Sequence, residues 1–568
     1  MRNTWFLALT ALAAAPASAS EASIAYFTEE KAAALPDLLT EQERLDYRSL
    51  FEAIEAQNWD RAEVLFAEKQ QSPLLGAALA EYYLHANSPR IPLERLEAWL
   101  ATYADLPRAG DILRLAQTRG FEGTVDLPRE RETRRQRGIT RRILPRSVED
   151  GTMPGAIRAS ILERIRNDDP DGARLLLDGI DATLSPEARA EWRRRVAWSY
   201  YIENRDAEAL GLARTVAEGS GRWVAEGDWV VGLSAWRLGD CSTAANAFQS
   251  AAAAGSDDPE LASSAHYWAS RALVRCREPE KATEQLRGAA RFTETLYGML
   301  AREQLGQALP GDHTRPDLTA QDWRELEREP AARLAVMLSS LGQDEAASAA
   351  ITHQARIGDP DDFSALARLA RALGLTDAQR YLAYNAPSGA TSPVWLRWPV
   401  TDQQPVGGWK VDPALAFAHA LQESSFRERV VSPAGAIGLM QITPITRREF
   451  AASIAMSSGA DLKEPRTNLA FGQRTLEAYA NSSYARRQLP KVMAAYNAGP
   501  TPVTRWESEV RDQDDPLTWM ESLPYWETRG YVNIVMRNYW MYLRQADAEA
   551  PSRVELAQNR WPVFPEER

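Results

Sequence analysis

The sequence predicts an all-α protein: an N-terminal α-superhelical repeat domain, a small helical linker domain and a C-terminal catalytic domain. Three observations carry this. Apolar residues recur at spacings of three and four, and few segments alternate with period two. Aromatic-rich helix–turn–helix units repeat at about 35–38 residues in the first half. From Trp409 onward Tyr, Trp, Asn and Ser become denser, which marks a change of domain. The chain of 568 residues is 45% hydrophobic and 25% charged, the mix of a folded protein. A net charge of −12 argues against general nucleic-acid affinity, which needs a basic face to displace counterions. With 2 Cys and 5 His there is little to build a zinc cluster, so no metal and no cofactor is expected.

Residues 1–20 read as an export signal. Arg2 precedes an apolar run from Trp5 to Ala15, and Ala17-Ser18-Ala19 supplies small residues for cleavage. The run is shorter than the roughly 20 residues that span a bilayer, and no later segment is long and apolar enough. The expectation is an exported, periplasmic protein, and a monomer. Export permits a disulfide. Cys241 and Cys276 are 35 residues apart, and a bridge and two buried thiols are equally open.

Residues 21–310 form the expected superhelix. The segments Val196–Asp206, Leu233–Cys241 and Tyr267–Cys276 are each an aromatic-rich helix ending in a polar turn, followed by an Ala-rich helix. Such pairs stack because one pair cannot bury its apolar face alone. Arg129 to Arg146 is dense in arginine. An anion-binding strip is the sharper reading, and a solvated connector neutralised by Glu130 and Glu132 is the expected one. Residues 311–392 are the linker domain, with breaks near Gly358-Asp359-Pro360 and Pro387-Ser388-Gly389. Residues 393–568 are the catalytic domain.

In that last domain Asp412-Pro413 is an N-cap followed by a first-turn proline. The apolar helix it starts ends at Glu423-Ser424, with Leu421 and Phe426 beside the carboxylate. A carboxyl in apolar surroundings resists ionising, which suits a general acid near neutral pH. The glycine-bearing turn Ser432–Gln441 follows, with glycines that permit close backbone approach and an amide able to donate and accept. A helix then runs into Tyr496-Asn497 and stops at Gly499-Pro500. Glu527, Thr528, Arg529 and Tyr531 gather where a final helix begins.

Glu423-Ser424, Gly438-Leu439-Met440-Gln441, Ala495-Tyr496-Asn497-Ala498-Gly499 and Glu527-Thr528-Arg529-Gly530-Tyr531-Val532 together resemble the ordered motif set of the soluble lytic transglycosylases. The resemblance covers about residues 393–545. The superhelix, the linker domain and Tyr297-Gly298 fit the large ring-shaped members less specifically. It implies a lysozyme-like catalytic fold, with peptidoglycan glycan strands as partner and substrate. It also implies cleavage of the β-1,4 bond between N-acetylmuramic acid and N-acetylglucosamine with a 1,6-anhydromuramic product. Glu423 would act first as acid and then as base. Ser432, Gln441, Tyr496, Glu527, Asn497 and Met440 would form the substrate site, with Asn497 ordering its turn and Met440 packing beneath. Thr443 stands where members commonly carry an apolar residue, often Met. His419, four residues before Glu423, is outside the family pattern and is not expected to partner it. Trp506, Trp519, Tyr525 and Trp526 offer rings for sugar stacking, with core packing the expectation for most. The alternatives are a muramidase on the same scaffold and a non-catalytic peptidoglycan-binding scaffold. Neither a His-Glu-x-x-His motif nor a Gly-x-Ser-x-Gly elbow occurs.

Overall fold

The computed structural model describes residues 19–28, 35–69, 71–311 and 317–565. Most of the export signal lies outside them; Ala19 and Ser20 open the first helix, α1 (Ala19–Thr28). Among the described residues there are 28 α-helices and two strands of three residues each. No helix there is long and apolar enough to cross a membrane.

The repeats are helix pairs, as the periodicity predicts. Their first helices are Pro186–Ile202, Trp223–Leu238 and Pro259–Arg275, and their second helices Asp206–Arg214, Cys241–Ala254 and Pro279–Ala290. Each pair turns on a left-handed residue: Asn204 (φ 58°), Gly239 (φ 80°) and Arg277 (φ 61°). Tryptophans fill the seams. Trp268 packs edge-on to Trp236 and Trp229 with ring centres 5.3 and 6.5 Å away. Cys241 opens one helix, Cys276 caps the next first helix, and the two are bridged with Cα atoms 5.5 Å apart.

The expected superhelix over 21–310 is shared between two hydrophobic cores. Residues 39–116 pack with 318–396, so the first helices join the linker domain. Residues 161–301 pack with 398–564, so the repeats lie directly against the C-terminal domain. The arginine-dense stretch connects the two and is mostly exposed, as expected of a solvated connector, with Arg142 the half-buried exception. Thr133–Arg135 (β1) pairs antiparallel with Asn385–Pro387 (β2), where the linker was expected to break. Glu130 bonds Arg356, not its arginine neighbours. Arg142 turns inward, 3.0 Å from the buried Glu226 and stacked 4.4 Å over Trp229.

Helix α1 docks far along the chain. Ser23 donates at 2.5 Å to Oδ1 of Asp412, and Phe27 meets Phe417 edge-on with ring centres 5.2 Å apart. Asp412 also accepts from Tyr539 at 2.8 Å. Burial raises its carboxyl to about 6.

Candidate active site

Asp412 caps helix α2 (Pro413–Ser424), accepting from the Ala414 N–H at 2.9 Å. The helix is buried along nearly its whole length because Leu415, Phe417 and the alanines pack in the core. It stops where Ser425 (φ 53°) and Phe426 (φ 60°) both turn left-handed and Phe426 folds back into the core. This turn leaves Glu423 half-buried at the end of an apolar helix.

Tyr531, on the helix α4 (Trp526–Gln545), donates its hydroxyl to Glu423 Oε1 at 2.7 Å. Burial raises the Glu423 carboxyl to about 7, the Glu527 charge adds to the rise, and the Tyr531 bond opposes it. At neutral pH the group is therefore divided between acid and carboxylate, the condition for giving a proton and taking one back. Burial and the Glu423 charge hold the Tyr531 phenol well above its usual range, so it stays a donor. His419 is wholly buried, and its Nδ1 lies 2.8 Å from the same hydroxyl. His419 and Glu423 make no direct hydrogen bond, in line with the expectation that they form no dyad; each contacts the Tyr531 hydroxyl.

The glycine-bearing turn is a small knot beside this carboxyl. Val431 and Ile442 both bridge to Ile437. Gly438 has φ 77°, and a Cβ there would stand 2.4 Å from Asn468 Nδ2 and from Leu462 O, so only glycine fits. Asn468, fully buried, pins the knot. It accepts from Met440 N–H and donates to Ile437 O and Leu462 O, each at 2.8 Å.

The predicted residues take these places. The Gln441 carboxamide donates to Gly438 O at 2.9 Å, bracing the turn. The Ser432 hydroxyl accepts from Ala436 N–H at 3.0 Å, within its own turn, instead of reaching Glu423. Met440 is buried against Gly472, so its side chain is core beneath the turn. Tyr496, on helix α3 (Leu489–Ala498), donates to the Met440 carbonyl at 2.8 Å and lays its ring 4.7 Å from that of His419. Asn497 accepts from the Thr528 hydroxyl at 2.7 Å and ties α3 to α4. Glu527 is exposed in the first turn of α4. Thr443 is an N-cap, accepting from Thr446 N–H at 3.1 Å, which gives that departure a structural use. Trp506 and Trp519 are core, whereas Tyr525 is 45% exposed.

Asn468 and Gly472 were missed by sequence reasoning. They lie on the helix Pro465–Ala480, whose amphipathic pattern is ordinary, and carried no motif signal. Tyr531 was noticed only as part of a cluster. The superhelix also reaches this domain: Tyr297 donates at 2.6 Å to Glu521, a carboxylate that is 1% exposed. No group of three or more His, Cys, Asp or Glu among the described residues is arranged to hold a metal. A cavity of about 1050 Å³ lies next to the site, lined by the Phe426–Val430 turn and by Asp344, Asp377 and Asp402. Glu428 borders it and is raised to about 7 by burial and those carboxylates.

Residues 403–518 match the family model described as the transglycosylase SLT domain. The chain is 35% identical over 148 residues to the soluble lytic murein transglycosylase of Escherichia coli K12, covering 26% of this chain and 22% of that protein. It is 37% identical over 135 residues to the soluble lytic murein transglycosylase of Salmonella typhimurium LT2, covering 23% and 20%. The match thus spans about a fifth of the length of these relatives. The 70-kDa soluble lytic transglycosylase of Escherichia coli has a similar fold, with TM-score 0.50 and 15% identity, over 92% of this chain and 100% of that one.

Proposed function

We propose that this chain, whose residues 403–518 carry a transglycosylase SLT domain, belongs with the soluble lytic murein transglycosylases and cleaves peptidoglycan. The observation that carries the reading is Glu423. It is a carboxyl raised to about 7, held by a tyrosine donor, within the matched domain. The bond cut is the β-1,4 link from N-acetylmuramic acid to N-acetylglucosamine.

Protonated Glu423 gives its proton to the glycosidic oxygen as that bond breaks. The resulting carboxylate then takes the proton of the muramic C6 hydroxyl, whose oxygen attacks C1 and closes a 1,6-anhydro ring. Proton count balances, and Glu423 ends as it began. Most glycosidases use two carboxylates, with substrate-assisted cases as exceptions. Here Glu527 is exposed and its charge acts on Glu423 by raising it, which supports a single acid–base. A nucleophile within the substrate needs no activated water, and holding it near C1 gives a large effective molarity. Gln441, Tyr496 and Asn497 shape the cleft from below, while the half-buried Ser432 and the exposed Glu527 meet the glycan. The protein works as an exported, periplasmic monomer, and the two-core body around the cleft positions strands.

The test is a digest of purified peptidoglycan by the mature protein and by Glu423→Gln, with products resolved by mass. Products lighter by one water than reducing ends, made by wild type and not by the variant, support the reading. Reducing ends from wild type would make it a muramidase. Anhydro products surviving in Glu423→Gln would move the chemistry elsewhere, and binding without products from either protein would leave a scaffold.

A further inference from the structure

His419 is the one histidine in the catalytic core and the proposed reaction does not use it. It is sandwiched between Tyr496, with ring centres 4.7 Å apart, and Tyr531, at 5.7 Å. Its Nε2 is buried with no hydrogen-bond partner. Its Nδ1 and the carboxylate Oε1 both contact one hydroxyl, at 2.8 and 2.7 Å. A hydroxyl has a single proton to give. When Glu423 is ionised it only accepts, so Tyr531 donates to it and His419 must donate from Nδ1. We infer that His419 is a positioning residue for the acid step: its Nδ1–H commits the Tyr531 proton to Oε1 and leaves Oε2 as the oxygen that carries the catalytic proton. The inference rests on the proposed role of Glu423.

A proton on Oε1 would meet the Tyr531 proton head-on. It fits there only if Tyr531 reverses to donate to Nδ1, which forces the imidazole proton onto the unpartnered Nε2. A buried donor without an acceptor costs free energy. The reversed chain is therefore the disfavoured one, and the acid proton is held on the oxygen away from Tyr531. Burial lowers His419 to about 3, so the ring carries one proton at every working pH and cannot satisfy both neighbours by charging. The groups facing Glu423 are Tyr531 and Glu527 from α4, Tyr496 from α3 and His419 through Tyr531. A leucine at position 419 removes the donor. Tyr531 can then accept from Glu423, which traps the acid proton on Oε1 and stabilises the protonated form.

The experiment measures kcat and KM against pH for the full mature chain on soluble glycan strands, as wild type, His419→Leu and His419→Asn. The Asn amide nitrogen stands where Nδ1 stood. His419→Leu is expected to lose about tenfold in kcat with KM within about twofold, and to move its upper pH limb up by about one unit. His419→Asn is expected to restore both. A His419→Leu profile with the wild-type limb, or an Asn variant as impaired as the Leu variant, would overturn the inference. Should His419→Leu fail to fold, 15N-histidine spectra of the wild-type chain decide. A 419 signal with Nδ1 protonated and Nε2 bare supports the assignment, and the reverse tautomer overturns it. Wild-type protein that makes no cleavage products counts against the function itself and leaves the tautomer measurement as the arbiter of the hydrogen-bond chain.

Discussion

Replacing Asn468 with alanine removes the pin of the glycine-bearing turn. The side chain makes three buried hydrogen bonds, each at 2.8 Å: one from Met440 N–H, one to Ile437 O and one to Leu462 O. A lost bond that strands a buried partner costs about 1–3 kcal/mol. Leu462 O and Met440 N have no easy route to water, because Leu462 and Met440 are 1% and 0% exposed. Ile437 is half-buried, and its N–H and carbonyl flank the bridge to Ile442. Counting the two stranded groups at about 1–2 kcal/mol each and the third at about 1, the loss is about 3–5 kcal/mol. For a unit of 150–250 residues that lowers the melting point by roughly 6–20 °C. The assay is differential scanning calorimetry of the full chain with cleavage measured in parallel below the transition. The Asn468→Asp variant sharpens it. It keeps the acceptor for Met440 but turns a carboxylate oxygen toward two carbonyls, so it should be at least as damaging despite its matching shape. A melting point within 1–2 °C of wild type for either variant would refute the reasoning, since the knot would then be held by the Gly438 turn and the Ile437 bridges alone.

Glu423→Gln should be more stable than wild type at pH 8. The folded carboxyl is raised to about 7 from 4.5, so the folded state holds the proton more tightly, and stability is lost as pH rises through that interval. The advantage should vanish below about pH 4.5, and equal melting curves at pH 8 would contradict it. Cleavage by wild type should fall as pH rises through about 7, where the acid form is depleted; a flat profile from 6 to 9 would assign the acid elsewhere. Replacing Cys241 and Cys276 by serine opens a loop of 35 residues and should cost about 2–4 kcal/mol in guanidinium unfolding, with no cost meaning that the repeats are held by their tryptophan seams. Tyr297→Phe removes the short bond to the buried Glu521 carboxylate and leaves it the 3.4 Å bond from Asn533, so it should cost about 1–3 kcal/mol, read by the same unfolding; no change would mean that Asn533 suffices.

Local signals carried much of this architecture. The helix pairs announced themselves through period, aromatic seams and polar turns, because each pair is stabilised by its neighbours in sequence. Glu423 and Gln441 were visible because their motifs are short and contiguous. What escaped depends on partners distant in sequence. Helices between residues 39 and 120 share a core with 318–396, and nothing in either stretch specifies the other beyond an apolar face. Arg142 reads as one arginine in a charged run, yet its environment is set by Glu226 and Trp229, more than 80 residues away. Asn468 looks like any polar residue in a first helical turn, and its three partners come from two other segments. The His419–Tyr531 contact spans 112 residues and follows from no spacing rule.

Helix α1 has a consequence for how the chain is made. Ser23 meets Asp412 across 389 residues of sequence, and Phe27 inserts beside Phe417 on the helix that carries Glu423. At about 5–20 residues per second of synthesis, that interval takes roughly 20–80 s. For that time this segment has an apolar face and no docking site. The helix that carries Glu423, in turn, is made after its partner, and their contact waits for the 389 residues between Ser23 and Asp412 and not only for the domain's own length. A catalytic segment started at residue 393 would begin life without the hydroxyl on Asp412 and without the ring against Phe417.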